Sequence, residues 1–308
     1  MSFIEITELT KVAFAKAHNR MVLNKLSLDI QAGESVAILG PSGSGKTTLA
    51  RLLAGLSHPT AGDIKINGFA PSDPRARMAL GYVPDRPAFP GHLTAIEALL
   101  FSARLADQPH EEIRGRAERL LENMELGKWA DTKVDKFSPE MLKRLALAVN
   151  LVAQPESLLV DEPFGKTDPA TRDIVGRNLR AVRQQGGTLI VMSKSLASIT
   201  PLATRILIMH QGRIVKEAPV AELILEAKQV EIEADIGEKL ITLEPQIGRV
   251  VLVSRKRLVV ELAREEAINS VIDYLREQGI SIHAVRWHRT SPDARWQDFI
   301  QRREEVAT

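Results

Sequence analysis

The chemistry in this chain is densest at Gly40-Pro41-Ser42-Gly43-Ser44-Gly45-Lys46-Thr47, which fits the phosphate-holding pattern G-x-x-x-x-G-K-[ST]. The glycines let the backbone curl until successive N–H groups point inward at phosphate oxygens. Lys46 supplies a point charge for the β- and γ-phosphates, and the Thr47 hydroxyl is of the type that ligates Mg²⁺. Thr48, which opens the following segment, is counted with the loop as a phosphate contact. A second cluster lies far downstream, where the apolar run Leu158-Leu159-Val160 ends in adjacent carboxylates, Asp161 and Glu162. A strand tip of this kind can set Asp161 over the loop's metal and aim Glu162 at the γ-phosphate, where it would orient an attacking water. Burial beside phosphate raises the proton affinity of Glu162, which suits a base.

Both clusters need rigid elements behind them. Glu34–Leu39 reads as a buried strand feeding the loop, and Thr48–Ala54 reads as a helix stopped by Gly55, so the helix dipole adds to the phosphate site. Further strands read at Ile4–Leu9, Leu26–Ile30, Ile64–Ile66 and Ala79–Val83. From Thr94 to about Ala153 the apolar residues recur at helical spacing, as at Ile96, Leu99 and Leu100. Strands are expected at Ser157–Val160, Thr188–Met192, Arg205–His210 and Ile214–Glu217, with a helix at Pro169–Gln184. Beyond about Lys228 the pattern changes to a small α+β unit. It reads as a strand at Gln229–Glu233, a hairpin of Val250–Val253 and Leu258–Leu262, a helix over Arg264–Gln278, a strand at Ile280–Val285 and a last helix from Ser291.

The bulk numbers bound the class. With 308 residues, 44% hydrophobic and 26% charged, the chain has the make-up of a globular protein with room for one large and one small domain. A net charge of +2 gives no field that would draw it to nucleic acid or anionic lipid. There is no cysteine, so disulfides and thiolate metal sites are excluded, which suits a reducing compartment. The start, Met1-Ser2-Phe3-Ile4, alternates like a strand rather than a targeting segment, and no apolar run approaches bilayer length. Any work at a membrane is expected to need other chains that span it.

In their order and spacing these segments resemble the nucleotide-binding subunit of an ATP-binding cassette (ABC) transporter, of the exporter type with a small C-terminal domain, over roughly residues 3–220. The resemblance implies an α/β P-loop NTPase fold, with a mixed-sheet core and a helical subdomain at about 86–153. The ABC domain would run over 1–226 and a small α+β domain over 227–308. Tyr82-Val83-Pro84-Asp85 stands at the family's lid loop, which usually ends in Gln; Asp85 there implies a carboxylate near the metal, beside Thr47 and Asp161. Phe137-Ser138-Pro139-Glu140-Met141 stands at the Leu-Ser-Gly-Gly-Gln signature. Ser138 would touch nucleotide, whereas Glu140 replaces the second glycine and sets a carboxylate where a partner's γ-phosphate would sit. Lys194 stands where the family has a His bridging the γ-phosphate and the catalytic Glu. Lysine can reach phosphate as a point charge but lacks imidazole geometry. Phe14 is one residue out of register with the aromatic that stacks on adenine, and is a candidate for that role or for the core. Arg295-Trp296-Gln297-Asp298-Phe299 resembles the Leu-Glu-Asp-x-Phe of exporter C-terminal domains.

What the resemblance implies is an ATP- and Mg²⁺-binding, slowly hydrolysing cassette, with Glu162 and Lys194 in the catalytic roles. Its partners would be integral membrane transporter subunits and a second cassette, identical or different. Its place would be cytoplasmic, peripheral on the inner face of the cell membrane. The alternative is a degenerate regulatory or structural subunit paired with an active cassette. Cassettes on nucleic acid usually carry a strongly basic arm, a long coiled-coil insertion or two cassettes in one chain, none of which is present here, so no nucleic-acid partner is expected.

Overall fold

A computed structural model describes residues 2–13, 19–224, 229–237, 239–264, 266–288 and 296. The chain forms two compact units, Met1–Val220 and Ala221–Thr308. The division falls before the one expected at 226; Val220 closes the first unit, donating its N–H to the Thr204 carbonyl at 2.9 Å.

In the first unit β1 (Ser2–Ala13), β2 (Arg20–Gln31) and β4 (Ala61–Ile66) make a three-stranded antiparallel sheet ordered β2-β1-β4. Between β2 and β4 the chain enters the main sheet as β3 (Ser35–Leu39) and leaves it as helix α1 (Lys46–Leu53). It continues through α2 (Pro74–Ala79) and β5 (Leu80–Val83) into three helices: α3 (Ala95–Leu105), α4 (His110–Asn123) and α5 (Pro139–Val152). Then β6 (Ser157–Asp161), α6 (Pro169–Gln184), β7 (Thr188–Ser193), α7 (Leu196–Ile199), β8 (Arg205–His210) and β9 (Arg213–Pro219) complete the unit. The main sheet is ordered β5-β6-β7-β3-β8-β9, parallel throughout except for the antiparallel β9. Every residue of β3, β6 and β7 is buried, which is why their centres are continuous apolar runs rather than alternating ones, with polar residues only at the ends. Because they are parallel, their C-terminal ends meet at one edge, where α/β sheets bind ligands.

Helix starts follow local chemistry. Thr94 and Glu97 form a reciprocal capping box, the Thr94 N–H donating to the Glu97 carboxylate at 2.8 Å and the Glu97 N–H to the Thr94 hydroxyl at 3.3 Å. Ser138 and Asp168 cap α5 and α6, each followed by proline in the first turn.

The second unit begins within α8 (Val220–Ile224). It contains β10 (Gln229–Ala234), β11 (Gly248–Val253), β12 (Arg257–Leu262) and β13 (Ile282–His288) in an antiparallel sheet ordered β11-β12-β10-β13. Helix α9 (Ala267–Glu277) buries Ala267, Val271 and Leu275 in a core with Val230, Ile232, Leu258 and Val260. Phe14 and the helix expected from Ser291, apart from Trp296, lie outside the described residues.

Candidate functional site

Gly40 follows β3 directly and donates its N–H to the Ser193 carbonyl at 3.2 Å, which fastens the loop's start to the neighbouring strand β7. A side chain at Gly40 would come within 2.3 Å of the Met209 carbonyl oxygen, so close packing of backbone on backbone dictates glycine. Gly45 caps α1 at φ 109°, a conformation that L-residues avoid, and a Cβ there would lie 2.8 Å from Met209 and 2.9 Å from Leu23 and Val22. Pro41, Ser42 and Gly43 form the outer curve, Ser44 is buried, and Thr47 is exposed beside the half-buried Thr48 at the start of α1. No acidic residue stands in the first turn of α1, which leaves its positive end open to an anion.

Lys46 is buried and folds back over its own loop. Its ammonium donates to the Gly40 carbonyl at 2.6 Å, the Pro41 carbonyl at 3.1 Å and the Ser44 hydroxyl at 3.4 Å. Burial holds its pKa below the usual lysine value, against the pull of Glu162 and Asp161. A cation held by neutral carbonyls is one that a polyphosphate can recruit.

Asp161 closes β6 only 1% exposed, and among the described residues neither carboxylate oxygen has a hydrogen-bond partner of normal geometry. Burial pushes its pKa up, opposed by the Thr47 hydroxyl and by the Lys46 and Lys143 ammonium groups. Glu162 follows in the left-handed region at φ 50°, its N–H donating to the Met192 carbonyl at 2.8 Å. Its pKa is also raised by burial, against the attraction of Lys46 and Lys194. The two clusters read from the sequence therefore share one sheet edge, linked through the end of β7. Two unpartnered carboxylate oxygens beside the Thr47 hydroxyl are hard oxygen donors of the type Mg²⁺ takes, so the residues fit a Mg²⁺–nucleotide.

Next to Glu162 lies a 410 Å³ cavity lined by Asp85, Glu140, Lys143, Lys166 and Lys194 among others. Glu140 sits half-buried in the first turn of α5, facing this cavity of its own chain. Ser138 is exposed, and its hydroxyl accepts the Met141 N–H at 3.2 Å as the helix cap. Lys194 is exposed and close enough to Glu162 and Lys46 to act on both charges. Asp85 is paired with the Lys143 ammonium at 3.7 Å. Lys143 itself escaped the sequence reading; the available signal was a lysine on the apolar face of α5, in line with Leu147.

A family model described as ABC transporter matches residues 23–165. The Nod factor export ATP-binding protein I of Burkholderia lata is 35% identical over 222 residues, which cover 71% of this chain and 72% of that protein. This chain belongs to the ABC transporter ATP-binding family. The sulfate/thiosulfate import ATP-binding protein CysA of Escherichia coli is 36% identical to the cassette over 217 residues, 68% of this chain but only 58% of that relative. Among solved structures, a dimeric ATP-binding cassette in a post-hydrolysis state, bound to ADP and Pi, matches with a TM-score of 0.64 and 27% identity, covering 70% of this chain and 98% of that one. One relative is named for export and the other for import, so what they share with this chain is the cassette rather than a cargo. Among the described residues no helix of the cassette is long and apolar enough to cross a membrane.

Proposed function

We propose that this cassette binds Mg²⁺–ATP at the Gly40–Thr48 loop, hydrolyses it slowly, and uses the cycle to power or gate transport through separate membrane subunits, working as a homodimer or heterodimer of cassettes. It would act peripherally, on the inner face of the cell membrane. The observation that carries this reading is the meeting of the Lys46 loop with the buried Asp161–Glu162 strand tip at one sheet edge. In the bound state Lys46 would exchange its loop carbonyls for phosphate oxygens. Thr47 and Asp161 would hold Mg²⁺, which supplies charge neutralisation on the phosphates. Glu162, its proton affinity raised by burial, would orient water and accept its proton.

Slow turnover rests on two residue types. Glu140 places a carboxylate in the signature segment, and Lys194 replaces a neutral proton-handling imidazole with a cation. The same two residues support a second reading, in which this chain is the degenerate half of a heterodimer and its partner does the chemistry. The test is single-turnover and steady-state ATPase measurement on the purified chain beside Glu162→Gln. The variant should bind ATP with unchanged affinity while hydrolysis falls at least about tenfold. Hydrolysis equal in parent and variant would remove Glu162 from the chemistry, whereas tight ATP binding with no parent turnover would select the second reading.

A further inference from the structure

The turn that carries Glu162 has two non-glycine residues in the left-handed region, Glu162 at φ 50° and Lys166 at φ 52°. Such conformations persist only where neighbours over-determine them. Within the turn the Gly165 N–H donates to the Glu162 carbonyl at 3.1 Å and the Thr167 hydroxyl to the Phe164 carbonyl at 3.0 Å. The stronger hold comes from outside it. The Lys143 ammonium reaches across from α5 and donates to the Glu162 carbonyl at 2.6 Å and the Gly165 carbonyl at 3.3 Å. Those carbonyls belong to one left-handed residue and to the residue preceding the other. The third neighbour of the ammonium is the Asp85 carboxylate, at 3.7 Å, beyond the end of β5. The Lys143 side chain is only 6% exposed, so this cation is committed to the three contacts rather than to water.

We infer that Lys143 is a positioning residue for Glu162: its ammonium clamps the two carbonyls of the left-handed turn, and its pairing with Asp85 ties the carboxylate's placement to the segment that follows β5. This rests on Glu162 acting on the water. Among the described contacts Lys143 makes no hydrogen bond to the phosphate loop or to the Asp161 carboxylate; its grip is on the backbone of the Glu162 turn, so its main effect falls on turnover rather than on affinity. The role asks for N–H donors first and charge second. An amide of similar reach can donate to both carbonyls but cannot form the ion pair with Asp85.

The test compares Lys143→Met, Lys143→Gln and Glu162→Gln in the full chain. Lys143→Met should lower kcat by about tenfold to a hundredfold, the scale of a misplaced catalytic group, with ATP affinity within about twofold of the parent. Lys143→Gln should recover most of that loss. Hydrogen exchange supplies a readout that does not need turnover: amides of residues 162–167 should exchange faster in Lys143→Met and near the parent rate in Lys143→Gln, with α1 unchanged in both. A Lys143→Met kcat within twofold of the parent overturns the inference. So does a Gln variant as slow as the Met variant, or a loss of affinity that accounts for the loss of rate. Should Lys143→Met not fold, Lys143→Ala, which also lacks the donors, takes its place in both readouts, and parent-like protection at 162–167 in that variant refutes the clamp. An unchanged rate in Glu162→Gln would instead refute the assignment of Glu162, leaving the exchange comparison to judge Lys143.

Discussion

Asp161→Asn should make the nucleotide-free protein more stable while removing the benefit of Mg²⁺. Asp161 is buried with two carboxylate oxygens that find no hydrogen bond of normal geometry, and burial pushes its pKa up against the opposing pull of the Thr47 hydroxyl, Lys46 and Lys143. A buried group left unsatisfied costs about 1–3 kcal/mol, more when charged. The two lysines offset part of that, so removing the charge at constant shape should return about 1–2 kcal/mol. For a unit of this size that is a rise in Tm of roughly 2–8 °C. The sign with pH follows from the raised folded pKa. The carboxylate penalises the fold only where the unfolded acid is ionised, so the variant's advantage should be absent below about pH 3.9, grow above it, and level off once pH passes the folded value. Thermal melts across that range, with ATP plus Mg²⁺ and with ATP plus chelator, measure both effects. The parent should gain more from ATP with Mg²⁺ than with chelator, and the variant should not distinguish them. A variant that melts at or below the parent at pH 7 without nucleotide would refute the reasoning, because the carboxylate would then have to be satisfied in the free protein.

Gly45→Ala forces a side chain into a φ of 109° and against Met209, Leu23 and the Val22 carbonyl, all under 3 Å. It should cost about 2–5 kcal/mol, read as a lower denaturant midpoint, and abolish ATP binding, whereas an unchanged midpoint would mean that the loop relaxes freely. Glu140→Gly removes a carboxylate from the signature segment. Two unit charges at about 4 Å and an effective dielectric of about 20 repel by roughly 4 kcal/mol, and a quarter of that shifts a dimer equilibrium about fivefold. Sedimentation with ATP in the Glu162→Gln background should therefore show more dimer, and no gain would place Glu140 away from any partner's phosphate.

The sequence determined the parts whose cause is local. The loop Gly40–Thr47 is legible because glycine, lysine and threonine each answer a separate demand of a phosphate. The helix Pro169–Gln184 starts and stops where the sequence places it, since Asp168 caps it, the Thr171 N–H meeting the Asp168 carboxylate at 2.7 Å, with proline in its first turn. The apolar runs Leu158–Val160 and Leu189–Met192 made the strands β6 and β7 legible. Other features depended on neighbours distant in the chain. Strand β2 begins at Arg20, well before the expected Leu26, because pairing with β1 carries it back through Met21-Val22-Leu23 and across Asn24 and Lys25, a polar break that interrupts the alternation. Glycine at position 40 answers to Met209, and only packing brings the two together. Glu140 was read from motif order as facing a partner; that it also lines a cavity beside Glu162 in its own chain could not be read from the sequence. Lys143 looked like one more helix lysine, and its grip on the Glu162 turn exists only because α5 lies against the end of β6. Composition and periodicity record what each residue prefers; which charge is buried beside which carbonyl is decided by tertiary contact, where desolvation makes such pairings strong.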